Sequence, residues 1–117
     1  MPIPTTAELQ PSLYAHTAEL ETPAFLVDIE TMDANIRDYA AFAAEHGVRL
    51  RSHVKTHKNA EIARRQNELS KGGGIVCQTL GEVEVMAKNG IDDVYLSYQV
   101  VGERKLRRLI WLAEKLD

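Results

Sequence analysis

The sequence predicts an α/β fold in which successive β-α units build a parallel sheet. Three observations carry that prediction. Short apolar or alternating runs recur between segments of helical period, the first three helical segments stop at Gly47, at the Gly72 to Gly74 run and at Asn89-Gly90, and "VRLRSHVK" at 48–55 alternates strictly between two faces. Strands separated by helices of this length pair in parallel and are joined by right-handed crossovers. Two architectures satisfy the pattern, an open doubly wound sheet and part of a (β/α) barrel, and periodicity alone does not separate them.

Residues 1–22 contain Pro2, Pro4 and Pro11 and show no sustained period, so they read as an arm over the surface with at most one short helical turn. "PAFLVDI" at 23–29 is an apolar run opened by a proline and followed by polar residues, which predicts a strand. The segment 31–47 places Met32, Ile36, Ala40 and Ala43 on one helical face, with Thr31 as N-cap and Gly47 as stop. After the alternating run, Asn59 caps a second helix through Ile62, Ala63, Gln66 and Leu69. "IVCQ" is the next strand, and "TLGE" at 79–82 fits a capping box in which Thr79 and Glu82 bond each other's backbone N–H. "DVYLSYQVV" is a further strand, and the last segment is a helix whose buried stripe is read as Leu106, Leu109, Ile110, Ala113 and Leu116.

The 117 residues, 44% hydrophobic and 26% charged, have the composition of one globular domain. A net charge of −3 argues against a surface built as a whole for nucleic acid. Cys77 is the sole cysteine, so an intrachain disulfide is excluded and nothing points to an oxidising compartment. The first residues lack a basic and an apolar region of signal-peptide type, and the uncharged stretch 72–81 is far shorter than the ~18 residues of a membrane span. The expectation is a soluble, cytoplasmic protein with no membrane and no nucleic-acid partner.

In "VRLRSHVK" the period of two puts Val48, Leu50, Ser52 and Val54 on one face and Arg49, Arg51, His53 and Lys55 on the other. A central strand covered by helices on both faces should be apolar throughout. The basic face therefore belongs to a wet edge or lines a polar cavity, and a barrel interior offers the second option. Lys55 falls at the strand's C-terminal end, where this class of fold places catalytic groups. Neighbouring Arg51 and His53, together with partial burial, would favour its neutral amine, the form that condenses with a carbonyl.

The alternatives stay open on these grounds. A run of Arg, His and Lys is also what a solvated edge looks like. His53 and His57 are four apart, which on a strand separates them by ~13 Å and does not suit one shared metal ion. Arg104, Lys105, Arg107 and Arg108 could extend a nucleic-acid patch, but no aromatic platform is interleaved with them. The glycines of "KGGGIV" precede a strand, the wrong context for a phosphate loop. Cys77 reads as a small core residue. Gln78, Tyr98 and Gln99, near strand ends, face the same cavity as Lys55 or serve packing.

"TPAFLVDIETMDANI", "LRSHVKTHK" and "QTLGEVEVMAKNGIDDVYLSYQVVG" together resemble the N-terminal part of the D-threonine aldolase and D-serine dehydratase group, with its alanine racemase-type barrel. The group's lysine motif, Arg-Pro-His-x-Lys-Thr-His-Lys, is matched at Arg51, His53, Lys55, Thr56, His57 and Lys58, and Ser52 replaces the proline. The resemblance implies a partial (β/α) barrel of about three units over 23–117, with Lys55 as the catalytic residue that carries pyridoxal 5′-phosphate. It also implies that His53, Arg51 and Gln78 contribute to cofactor binding. The substrate would be a small D-configured β-hydroxy amino acid, cleaved or dehydrated with the help of a divalent metal ion. No residue of this sequence is assigned as a metal ligand. The group's members continue into further barrel units and a β-rich domain and pair as homodimers, so the resemblance makes this chain an N-terminal piece. A racemase is the nearest alternative, but "KTHKNAE" lacks the racemase sequence after the lysine; a non-catalytic module binding the cofactor or another anion is the other.

Overall fold

The computed structural model describes residues 16–116. Most of the expected N-terminal arm, residues 1–15, lies outside the described residues; a short 3-10 turn at Thr17–Glu19 is the helical turn anticipated there. The regular elements are α1 (Ile29–Glu45), β1 (Ser52–His53), α2 (Ala60–Leu69), β2 (Ile75–Cys77), α3 (Leu80–Lys88), β3 (Val94–Leu96) and α4 (Glu103–Ala113). The strands form one parallel sheet in the order β1-β2-β3, with Ser52 opposite Ile75 and Ile75 opposite Val94.

Pleating decides where the core sits. Val54, Ile75 and Cys77 are 0% exposed on the helix-covered side, while Tyr95, on the opposite pleat, is 58% exposed. On the covered side α2 packs on β1, α3 packs on β2 and β3, α1 lies against α2 and α4 against α3. Ala63, Leu80, Val83, Met86, Ile91 and Leu112 complete the cluster. No helix among the described residues is long and apolar enough to cross a membrane.

The expected caps Asn59 and Thr79 are in place, accepting from the N–H groups of Ile62 and Glu82 at 3.0 and 3.2 Å. Elsewhere the structure corrects the expectations. The strand at 23–29 does not form: Asp28 accepts from the N–H of Thr31 at 2.8 Å and caps α1, so Thr31 lies inside the helix instead of capping it. Asp28 and Ile29 are taken by the helix, and Phe25, Leu26 and Val27 stand exposed, paired with no strand among the described residues.

The closing helix is also rotated relative to the expected stripe. Leu112 is buried and Leu109 and Leu116 are half-buried against the core, whereas Leu106 and Ile110 are exposed and Ala113 faces solvent. The sheet ends at β3, so α4 meets apolar neighbours only on the side turned toward α3. Glu82 carries a bond beyond the capping box: its carboxylate accepts from the N–H of Gln78 at 2.7 Å.

The Gly72 to Gly74 run does more than stop α2. A Cβ on Gly73 would collide with the Leu50 carbonyl oxygen, so the chain segments entering β1 and β2 approach more closely there than any side chain allows. Gly73→Ala should therefore destabilise the fold by about 1 to 3 kcal/mol, read as a lower urea midpoint at unchanged slope; a wild-type midpoint would show that the segments can part without loss.

Candidate functional site

Parallel strands send all three of their following loops to one end of the sheet. That end gathers the 54–59 turn after β1, Gln78 and Thr79 after β2, and the 97–102 loop after β3. Val54 anchors the first turn: its side chain is fully buried, and its N–H donates to the Val76 carbonyl at 2.9 Å. Lys58 closes the turn by donating its N–H to the Val54 carbonyl at 2.8 Å, adopting φ 50° to do so. Lys55 is exposed at the start of this turn, just past the strand, and takes no part in the ion pairs among the described residues. The burial expected around its amine is thus absent from the described fold.

Both histidines serve the turn's backbone. His53 Nδ1 accepts from the N–H of Lys55 at 3.2 Å, and His57 Nδ1 accepts from the N–H of Asn59 at 3.0 Å. With Nδ1 accepting, neutral His57 carries its hydrogen on Nε2, which donates to Gln66 Oε1 at 3.1 Å. Each ring is thereby turned to its own partners.

Arg51 is not part of this end. Its guanidinium pairs with Asp93 at 2.7 Å and donates to the Ile75 and Asp93 carbonyls at 3.4 and 3.3 Å, beside Gly74 where the strands begin. Residues before a strand collect at the end opposite those after it, so the expected Arg51 neighbour of Lys55 becomes a clasp across the strand starts. Gln78 does share a cleft with Tyr98 and Gln99, of about 210 Å³ and also lined by Thr79, Leu96, Lys105 and Arg108, but Lys55 does not line it.

Two buried carboxylates were not legible as ion-pair partners. Asp33, buried on α1, receives the Arg65 guanidinium at 2.7 Å, and that hydrogen bond, helped by the charges of Arg65 and Arg37, holds its carboxyl below the usual range. Glu82 is 7% exposed and spends both oxygens at the site: Oε1 accepts from Lys58 Nζ at 2.8 Å and Oε2 from the Gln78 N–H at 2.7 Å. Burial alone would raise the Glu82 carboxyl, but its hydrogen bonds from Lys58 and Gln78 outweigh burial and leave it lowered. The Thr-x-x-Glu spacing was the available signal for Glu82; Asp33, on the apolar face of an otherwise regular helix, was the signal for a buried partner.

No protein-family profile matches the chain. It is 36% identical over 92 residues to 3-hydroxy-D-aspartate aldolase of Paracoccus denitrificans, covering 79% of this chain and 24% of that protein. With D-threonine aldolase of an Arthrobacter species it shares 42% identity over 96 residues, 82% of this chain and 25% of the relative. Among solved structures, D-threonine aldolase from Filomicrobium marinum superposes with a TM-score of 0.81 at 40% identity, covering 85% of this chain and 27% of that one. D-threo-3-hydroxyaspartate dehydratase from Delftia sp. HT23 gives 0.76 at 31% identity, covering 83% and 25%, and a mutant of that enzyme has been solved in a metal-free form. The chain spans about a quarter of the length of the curated relatives it matches.

Two outcomes test the electrostatics. Glu82 has a folded pKa below its unfolded one, so its contribution to stability is present above the unfolded value of 4.5 and is lost as pH falls through the folded value. Acid titration should accordingly show protection of the Gln78 amide from hydrogen exchange falling below pH 4.5, and protection that holds constant to pH 2 would contradict the pairing. Burial, with Glu82 adding to it, pushes the Cys77 thiol up to about 11. Alkylation of Cys77 at pH 8 should be at least about 100-fold slower in the native chain than in urea, and comparable rates would mean that the strand opens freely.

Proposed function

We propose, from the homology of this chain with the N-terminal part of the D-threonine aldolases and their hydroxyaspartate aldolase and dehydratase relatives, that it supplies the lysine of a pyridoxal 5′-phosphate site in a lyase. The substrate class is D-configured β-hydroxy amino acids, acted on by cleavage of the Cα–Cβ bond or by elimination of the β-hydroxyl, the two reactions named among the relatives. The surrounding architecture is a (β/α) barrel, of which the parallel β1-β2-β3 sheet is three strands.

The observation that carries this reading is the placement of Lys55. A lysine exposed at the C-terminal end of a parallel strand, unpaired with any carboxylate among the described residues, fits a group that bonds an amine covalently. Lys55 would hold the cofactor's aldehyde carbon. When bound, pyridoxal phosphate supplies an electron sink for charge developing at the substrate's α-carbon. His53 holds the Lys55 backbone through Nδ1, which fixes where the side chain leaves the strand. Gln78, Tyr98 and Gln99 provide amide and phenol groups at the same sheet end for the polar groups of cofactor or substrate. Arg51 serves the scaffold through Asp93. Among the described residues no cluster of three His, Cys, Asp or Glu side chains converges, so the divalent metal of the expected chemistry is assigned no ligand and no step here.

Incubation with pyridoxal 5′-phosphate, reduction by borohydride and peptide mapping should place the adduct on Lys55, and Lys55→Ala should remove it. An adduct spread over Lys71, Lys88, Lys105 and Lys115, or none at all, would overturn the assignment.

A further inference from the structure

The 54–58 turn is held at two places, and only one of them is obvious from the strand. At its start Val54 is buried and bonded into the ladder. At its end Lys58 stands in the left-handed region at φ 50°, where a non-glycine residue needs compensation from its surroundings. Glu82 supplies that compensation. Its Oε1 receives Lys58 Nζ and its Oε2 receives the backbone N–H of Gln78, while its own N–H is capped by Thr79 at 3.2 Å. One buried carboxylate thus ties the turn after β1 to the turn after β2 across the first turn of α3.

We propose that Glu82 is a positioning residue for Lys55, acting through Lys58. The proposal rests on the reading of Lys55 as the cofactor-bearing lysine and adds to it the group that sets the lysine's presentation. Lys58 is the third residue after Lys55, so release of its ammonium from Glu82 frees the closing bond of the turn and lets the intervening residues Lys55, Thr56 and His57 change course together. A carboxylate is needed because it accepts two bonds at once, one of them from a cation; a glutamine keeps the shape and the acceptor for Gln78 but turns an amide toward Lys58 or loses the other bond. Leaving a buried carboxylate with one partner would be costly, so the two turns are held jointly.

The experiment compares the wild-type chain with Glu82→Gln and with Glu84→Gln, whose parent carboxylate pairs with Arg108 of α4 and touches neither Lys58 nor Gln78. Amide hydrogen exchange at residues 55–58, measured without cofactor, should rise about tenfold or more in Glu82→Gln and stay at the wild-type level in Glu84→Gln, with exchange in β2 unchanged in both. The borohydride-trapped adduct on Lys55 should form several-fold more slowly in Glu82→Gln. Wild-type exchange at 55–58 in Glu82→Gln, or a rise shared equally by β2, would overturn the positioning role. Faster exchange at 55–58 together with an unlabelled Lys55 in the wild type would instead refute the cofactor assignment and leave the Glu82 tether standing as a feature of the fold alone; unchanged trapping despite the exchange rise would show that the tether does not serve the lysine.

Discussion

The ladder centred on β2 is the constraint on which everything else depends. Ile75–Cys77 is the strand paired on both sides, parallel to Ser52–His53 and to Val94–Leu96. Its alternate side chains Ile75 and Cys77 are fully buried and give α2, α3 and α4 a common surface. Because all three strands run the same way, the ladder also divides the molecule chemically. Residues preceding the strands, Arg51, Gly74 and Asp93, meet at one end, and residues following them, Lys55, Gln78 and Tyr98, leave from the other. A structural clasp and a candidate site are separated by direction alone.

What could be read from the sequence is what is settled within a few residues. Asn59 and Thr79 cap their helices through bonds to an N–H three residues on, and the helix stops at Gly47 and Gly72 follow from φ values of 66° and 76°. The features that escaped the sequence are long-range. Lys58 meets Glu82 across 24 residues, Arg65 meets Asp33 across 32, and Arg51 meets the Asp93 carbonyl across 42. Nothing local marks which of several acidic residues each cation will find. The Thr79-Glu82 spacing identified the cap but not the further bond by which the Glu82 carboxylate takes the Gln78 N–H.

Strand extents failed for a related reason. Alternation over 48–55 correctly sorted Val54 into the core and His53 onto the other pleat, yet the strand itself is only Ser52 and His53, with Val54 adding one bond to Val76. A ladder ends where its partner ends, and partner length is invisible to a pattern read on one segment. The loss of the 23–29 strand adds competition: Asp28 has a stronger local use as a helix cap than as a strand residue. On α4 the apolar residues are wide enough to allow two stripes, and packing selected Leu109 and Leu112, with Leu116 just past the helix, over Leu106 and Ile110.

The basic run then acquires a different meaning from the one its charge suggests. As a charge cluster it would surround Lys55 with unpaired cations. In the fold Arg51 is matched by Asp93 and Lys58 by Glu82, both at hydrogen-bonding distance. His53 and His57 spend Nδ1 on backbone amides of the same turn. The carboxylates neutralise the neighbours and the histidines shape the loop, so the lysine at the strand end is left as the group whose amine has no other task. The run builds a held turn that presents one amine, and what sets Lys55 apart is which neighbouring cations are occupied more than how many are present.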